Sequence, residues 1–259
     1  MSLASKCVLH VLNTVYTILG LGLAAASLWL FVEVKEFTNL RNSNHYLLDY
    51  NVYWPQAIPW LFFIVGLAAV CVSACGFSGV RKASKGMMTI YTVCLGVVIL
   101  LLIAAAIIAL IFADNKSTDD FIKDTVWDAY FQSKTDTGVA TSFGNIEKRL
   151  HCCGAEGPRD YKNWKNEFPT SCCDTYYHGW IGSYSIDCDF TNKLANERHG
   201  CSTVASQYAR IAIKVLSAIS VFIAFIGIFA LIAAVALSKN LRKKPRAPPS
   251  EADSKKVLL

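Results

Sequence analysis

The chain has 259 residues, 54% of them hydrophobic and only 17% charged, with a mean hydropathy of +0.37. That balance points away from one or two ordinary soluble domains. The formal charge of +6 would suit an anionic partner, but where the basic residues sit argues for membrane topology and anionic lipid rather than nucleic acid.

Four apolar stretches cover residues 11–32, 60–80, 87–113 and 215–237, and none contains Asp, Glu, Lys or Arg. Each has about 20 residues or more, enough for a helix to cross about 30 Å of hydrocarbon. Buried helices of a soluble protein would need four such segments with no polar face, so membrane spans are the better reading. The length of the first stretch and the three later spans favour an uncleaved helix over a signal peptide. Lys6 precedes the first span, Arg81, Lys82 and Lys85 lie between the second and third, and Lys239, Arg242, Lys243, Lys244 and Arg246 follow the fourth. Residues 1–10, 81–86 and 238–259 are therefore expected to be cytoplasmic, and residues 33–59 and 114–214 to form a small and a large extracellular loop. On this division the cytoplasmic parts carry +9 and the loops −3.

In chain order, Ser2 in place of glycine excludes N-myristoylation. The first span sets Asn13, Thr17, Gly20, Ala24 and Ser27 at alternating steps of four and three, and the second sets Gly66, Ala69, Ser73 and Gly76 similarly. Such seams of small and polar residues allow close helix approach, so these two spans are expected to pack together. Asn13 is the most polar side chain in any span, and a hydrogen bond to a neighbouring helix is preferred to an ion or substrate site. Tyr46, Tyr50, Tyr53 and Trp54, with Trp29 and Trp60, read as an interfacial aromatic belt. The short link 81–86 makes spans two and three antiparallel neighbours. Span three is nearly featureless, with Cys94 and the small patch Ala104-Ala105-Ala106. Asn115-Lys116-Ser117 matches the N-glycosylation pattern, and its nearness to the bilayer counts against its use.

In the large loop, Asp119 or Asp120 is expected to cap a helix with Phe121, Ile122, Val126, Ala129 and Tyr130 on its apolar face. A second amphipathic run, Phe143, Ile146 and Leu150, ends at Cys152-Cys153. Between Gly154 and Cys188 the periodicity fails, and glycine and proline punctuate an irregular head. Here Tyr176, Tyr177, Trp180 and Tyr184 are the candidate partner-binding residues. Cys201, Val204 and Tyr208 restore helical spacing and lead without a breaker into span four. Adjacent cysteines are spaced too closely to bond to each other. Excluding bonds within Cys152-Cys153 and Cys172-Cys173 leaves about ten of the 15 connectivities that six cysteines allow. A disulfide framework needs an oxidising side, which agrees with the charge-based topology. Zinc is disfavoured because tandem cysteines lack the C-x-x-C spacing.

At these residues the chain resembles the tetraspanin family over essentially its full length. Cys152-Cys153-Gly154, Pro169-Thr170-Ser171-Cys172 as P-x-S-C, Gly200-Cys201, and Asp160-Tyr161 with Trp164 carry the resemblance, together with four spans of this order. It implies an all-α membrane protein with four transmembrane helices, a small outer loop and a large, mainly helical, disulfide-stapled one. It also implies the pairs Cys152–Cys201, Cys153–Cys172 and Cys173–Cys188. The family's members are non-enzymatic scaffolds that bind other membrane proteins through the large loop and associate laterally with other tetraspanins. An intramembrane cavity for sterol or lipid, with the large loop closing over it, is implied as well. Two departures stand out: spans three and four lack the Glu or Gln common there, and Ser78 replaces a frequent cysteine.

Cys7, Cys75, Cys71 and Cys94 are the lipidation (palmitate) candidates, Cys7 first because it lies beside Lys6 and the bilayer. Gly20-Leu21-Gly22 lies within a span and is no nucleotide loop, no H-E-x-x-H or G-x-S-x-G occurs, and the five histidines are scattered. No enzyme, cofactor or metal is indicated. The tail ends Val257-Leu258-Leu259, which resembles a PDZ-domain ligand. The expected function is a membrane organiser at the plasma or endosomal membrane, with its specificity in residues 155–187. A small channel or transporter, or a four-span junction protein, is the alternative. The spans hold one Asn and no proline to line a path, and junction proteins typically place their larger cysteine-bearing loop after the first span.

Overall fold

The computed structural model describes residues 3–40, 54–82, 85–173, 176–178, 183–185 and 188–243. Four long helices follow the apolar stretches: α1 (Leu3–Asn39), α2 (Trp54–Lys82), α3 (Lys85–Ala113) and α7 (Cys201–Lys243). Between α3 and α7 come α4 (Lys116–Gln132), α5 (Thr137–Leu150), 3-10 turns at Pro158–Tyr161 and Thr170–Cys172, strands β1 (Tyr176–His178) and β2 (Ser183–Ser185), and the short α6 (Lys193–Glu197). By length and hydropathy, Lys6–Asn39, Gln56–Arg81, Gly86–Ala113 and Cys201–Lys239 can each cross a bilayer. Their exposed surface is apolar: Ile18, Ile64, Ile90, Leu100, Ile111 and Ile232 are all well exposed. That suits hydrocarbon rather than water.

Helix α2 begins at Trp54, upstream of the apolar stretch, and contains Pro59. Pro59 has no N–H to give the Pro55 carbonyl, so the helix lacks one bond just inside its start.

The chain forms two compact units. The first comprises Met1–Ala24, Ile64–Ala104 and Ser220–Leu259. Here α1 and α2 meet backbone to backbone. A methyl on Gly20 would lie 3.1 Å from the Gly66 carbonyl oxygen, and one on Gly66 would lie 3.0 Å from that of Gly20. With little hydrophobic driving force between helices in lipid, such close packing supplies the attraction. The Tyr91 hydroxyl of α3 donates to Asn13 Oδ1 over 2.6 Å, and both side chains are fully buried. Gly76 leaves the room they occupy, since a methyl there would lie 2.7 Å from the Tyr91 ring. Thr17 and Ser73 donate to carbonyls four residues back on their own helices. The Ser220 hydroxyl crosses from α7 to the Leu102 carbonyl of α3 (2.9 Å). Spans three and four, which lack Glu and Gln, are thus coupled by a serine.

The second unit comprises Ala25–Phe63 and Ala105–Ile219. Its core gathers Ile122, Val126, Ala129 and Tyr130 of α4, Phe143 of α5, Ala155, Tyr161, Phe168, Ala195, Ala205 of α7 and all six loop cysteines.

Candidate functional site in the loop between α3 and α7

Helix α4 (Lys116–Gln132) is capped by Asn115, not by Asp119 or Asp120. The extended Asn115 (ψ 132°) accepts the Ser117 N–H on its side-chain oxygen at 3.0 Å, the ordinary N-cap arrangement. This corrects the expected cap. Asp119 lies inside the first turn, where it pairs with Lys123 (2.7 Å) and with Arg210 of α7 (3.5 Å). The hydrogen bond from Lys123 holds the Asp119 carboxyl below the usual carboxylate range. Helix α5 is capped by Asp136, which accepts from Gly138 and Val139. It ends at His151 in the left-handed region (φ 51°), which turns the chain into the tandem cysteines.

The two glycine-cysteine motifs meet at this turn. Gly154 also has positive φ (69°), and the Cys201 N–H donates to its carbonyl at 2.9 Å. Cys153 N–H donates to the His199 carbonyl and Ser202 N–H to that of Ala155, both at 3.0 Å. A methyl on Gly200 would strike the Glu156 carbonyl. Glycine at 154 answers a conformation that other residues resist, and glycine at 200 answers a backbone approach that a side chain would block. Disulfides join Cys152 to Cys201, Cys153 to Cys172 and Cys173 to Cys188.

Beneath the turn lies Glu147, 1% exposed. The Gly154 N–H and the Tyr161 hydroxyl each donate to its Oε1 at 2.8 Å, and the Ser171 hydroxyl donates to its Oε2. One carboxylate thus binds α5, the tandem-cysteine turn and both 3-10 turns. Burial pushes its carboxyl above the usual range, against the opposing effect of these donors, Ser171 first. Burial and the neighbouring Glu147 raise the Tyr161 phenol in turn. Glu147, Cys153 and Cys172 lie within ligand distance of one another, but the two sulfurs are bonded together and offer no thiolate pair.

Asp160-Tyr161 and Trp164 belong to the same framework. The Asp160 carboxylate accepts the N–H groups of Glu156 and Gly157. The Tyr130 hydroxyl donates to the Asp160 carbonyl at 2.7 Å and accepts from Trp164 Nε1 at 2.9 Å. Tyr130 also meets the Phe143 and Tyr161 rings edge-on.

A cleft of about 1060 Å³ opens within the second unit between residues of α1, α2, α4, α5 and α7. Leu30, Ile58, Phe121, Ile146 and Ile213 give it apolar walls. Glu33 of α1 and Arg149 of α5 form an ion pair at its lining. Gln132 Nε2 donates to the Leu40 carbonyl at 3.1 Å, tying α4 to the segment after α1.

Tyr177 and Tyr184 pair across the β1–β2 hairpin. Residues read as irregular therefore include two strands, whose three-residue length is too short for alternation to register. Trp180 lies outside the described residues, as do the side chains of Tyr176, Tyr177 and Tyr184 and residues Tyr46, Tyr50, Tyr53 and Val257–Leu259. Cys7, Cys71, Cys75 and Cys94 are free thiols on exposed helix positions, apart from the loop site. Asn115 is exposed, with its side-chain oxygen engaged as the cap. Sequence reasoning missed Glu147 and Ser220, and it placed Ser171 in the P-x-S-C motif without its bond to Glu147. Glu147 did carry a signal, being one helical turn from Phe143 on the face that α5 buries.

The family model described as the Tetraspanin family matches residues 5–240. The CD151 antigen of Mus musculus is 23% identical over 248 residues, 92% of each chain. The CD63 antigen of Bos taurus is 26% identical over 248 residues, 92% of this chain and 94% of its own. The 23 kDa integral membrane protein of Schistosoma mansoni is 31% identical over 185 residues, 69% of this chain and 76% of its own. With its four spans, its joined glycine-cysteine motifs and a match over nearly the whole chain, this protein belongs to the tetraspanin family.

Proposed function

We propose that the protein is a non-enzymatic organiser of membrane proteins, with both termini cytoplasmic and the α3–α7 loop facing the extracellular or lumenal side. Partner proteins dock on the head within residues 155–187, and the spans associate laterally with other tetraspanins. The observation that carries this reading is the division of labour among the disulfides. Cys152–Cys201 and Cys153–Cys172 close the framework around Glu147, whereas Cys173–Cys188 closes off the loop of residues 174–187, which bears Tyr176, Tyr177, Trp180 and Tyr184. Such a loop can change without disturbing the framework, as a specificity element must. The basic residues at 81–85 and 239–246 support the orientation. The apolar cleft supports occupancy by a sterol or lipid. Asn13, engaged by Tyr91, supports packing rather than permeation.

The test replaces residues 155–187 with those of another tetraspanin, keeping Asp160, Tyr161, Trp164, Ser171, Cys172 and Cys173, and identifies crosslinked partners by mass spectrometry in mild detergent. The partner set should change while surface delivery persists. An unchanged partner set overturns the proposal.

A further inference from the structure

Apart from the β1–β2 hairpin, the loop presents a second face in which lysines lie against aromatic rings. Lys134 Nζ sits 4.7 Å from the ring centres of both Tyr130 and Phe131 and 5.7 Å from that of Trp164. Lys165 Nζ lies 4.9 Å from the Trp164 ring and 5.3 Å from Tyr161, and Lys162 Nζ lies 5.9 Å from Phe190. Phe131 is 55% exposed and Trp164 37%. Among the described residues none of these lysines forms an ion pair. Asp160, between them in sequence, already accepts two backbone N–H groups.

The energetics of this arrangement point outward. A lysine over an exposed ring gains only about 0.5–1 kcal/mol, so its positive charge remains available to an anion. Phe131 and Trp164 are exposed rings of the kind that anchor protein interfaces, which favour aromatic side chains in their cores. We propose that Phe131, Lys134, Lys162, Trp164 and Lys165 form a docking surface for an acidic segment of a partner protein that interleaves carboxylates with aromatic or aliphatic side chains. The carboxylates meet the lysines, and the apolar side chains cover Phe131 and Trp164. A sulfated glycan fits less well. A uniform polyanion would leave the exposed Phe131 and Trp164 rings uncovered.

This inference rests in part on the proposed function, because Lys162, Trp164 and Lys165 lie within residues 155–187. Phe131 and Lys134 lie outside them, and their variants leave that segment intact, so a loss of peptide binding is distinguishable from an unchanged partner set. The test uses the full chain in neutral-lipid nanodiscs and a short fluorescent peptide alternating glutamate with phenylalanine, read by anisotropy. Saturable binding is expected, absent for the same peptide with lysine in place of glutamate. Lys134→Glu and Phe131→Ala should each weaken it about tenfold, with a smaller loss for Lys162→Glu. Lys134→Gln should fall between wild type and Lys134→Glu, which separates charge from packing. Thermal midpoints and disulfide content should stay unchanged, because all three side chains are exposed. The proposal is overturned if the peptide fails to bind, if the lysine peptide binds equally, or if Lys134→Glu with intact disulfides binds as wild type does. Tighter binding of a heparin oligosaccharide that is insensitive to Phe131→Ala would overturn it in favour of a glycan.

Discussion

The two compact units solve the same problem, holding helices together, with opposite chemistry. The first contains Gly20 against Gly66, an Asn–Tyr hydrogen bond and a serine reaching a carbonyl, and its exterior is apolar. The second contains three disulfides, a buried carboxylate with three donors and a cluster of aromatic rings. In lipid, burial of apolar surface contributes little between helices, so many small contacts must add up. In water the loop has a core, but one too small to order its irregular part, and covalent links and a polar hub make up the difference. The contrast predicts few large sensitivities in the loop and many small ones in the bundle.

The largest expected effect is at Cys152–Cys201. Cys201→Ser removes the link between the end of α5 and the start of α7 and leaves a thiol in a fully buried site. Loss of such a bond costs about 2–5 kcal/mol. Limited proteolysis should cut the loop of the variant at protease levels that spare the wild type, while the spans stay intact. Equal resistance would show that the framework holds without this bond.

Glu147 comes next. Glu147→Ala leaves the Tyr161 and Ser171 hydroxyls and the Gly154 N–H without their acceptor, at about 1–3 kcal/mol for a buried unsatisfied group. Glu147→Gln keeps an acceptor oxygen and should cost less. The pH dependence separates the two roles of the carboxylate. Burial raises its pKa above the ordinary 4.5, so the folded state binds the proton more tightly than the unfolded one. Its contribution to stability is then fully present below about 4.5 and declines as pH rises through the raised folded value. The lowered Asp119 acts in the opposite sense, losing its contribution as pH falls through its depressed folded value. The difference between wild type and Glu147→Gln isolates the first effect. In thermal melts of the loop, wild type should lose stability relative to Glu147→Gln as pH rises from 4.5 towards neutrality. A difference that does not vary with pH would refute the assignment.

The sequence conveyed these two regions unequally. The spans are legible because hydrocarbon demands long uncharged runs, and seams such as Gly20 and Gly66 show in composition alone. The glycine-cysteine motifs are legible as a pattern, but not the reason for them, since only the fold brings Gly154 opposite Cys201. Glu147 stayed hidden because a carboxylate reads as solvent-facing unless its donors, seven to 24 residues downstream, are known to converge on it. The cap of α4 is ambiguous in the sequence because Asn115 also heads a sequon, and its side chain suits either role. Ser220 was missed because a serine in a span usually bonds within its own helix, as Ser217 does to Ile213.

The bundle supplies the smallest expected effects, and Asn13 and Ser220 sharpen the contrast there. Asn13→Leu removes the acceptor of the Tyr91 hydroxyl, and Ser220→Ala removes the α7–α3 hydrogen bond. Interhelical hydrogen bonds in membranes average about 0.6 kcal/mol, because the separated helices find other partners in their place. Each single variant should therefore change the thermal midpoint in detergent only slightly. The two bonds share no residue and involve different helix pairs, so the double variant should show the sum of the single effects. A loss well beyond that sum would mean that the two polar contacts act as one unit. The bundle would then depend, like the loop, on a few critical groups, and the opposition between the two regions would fail.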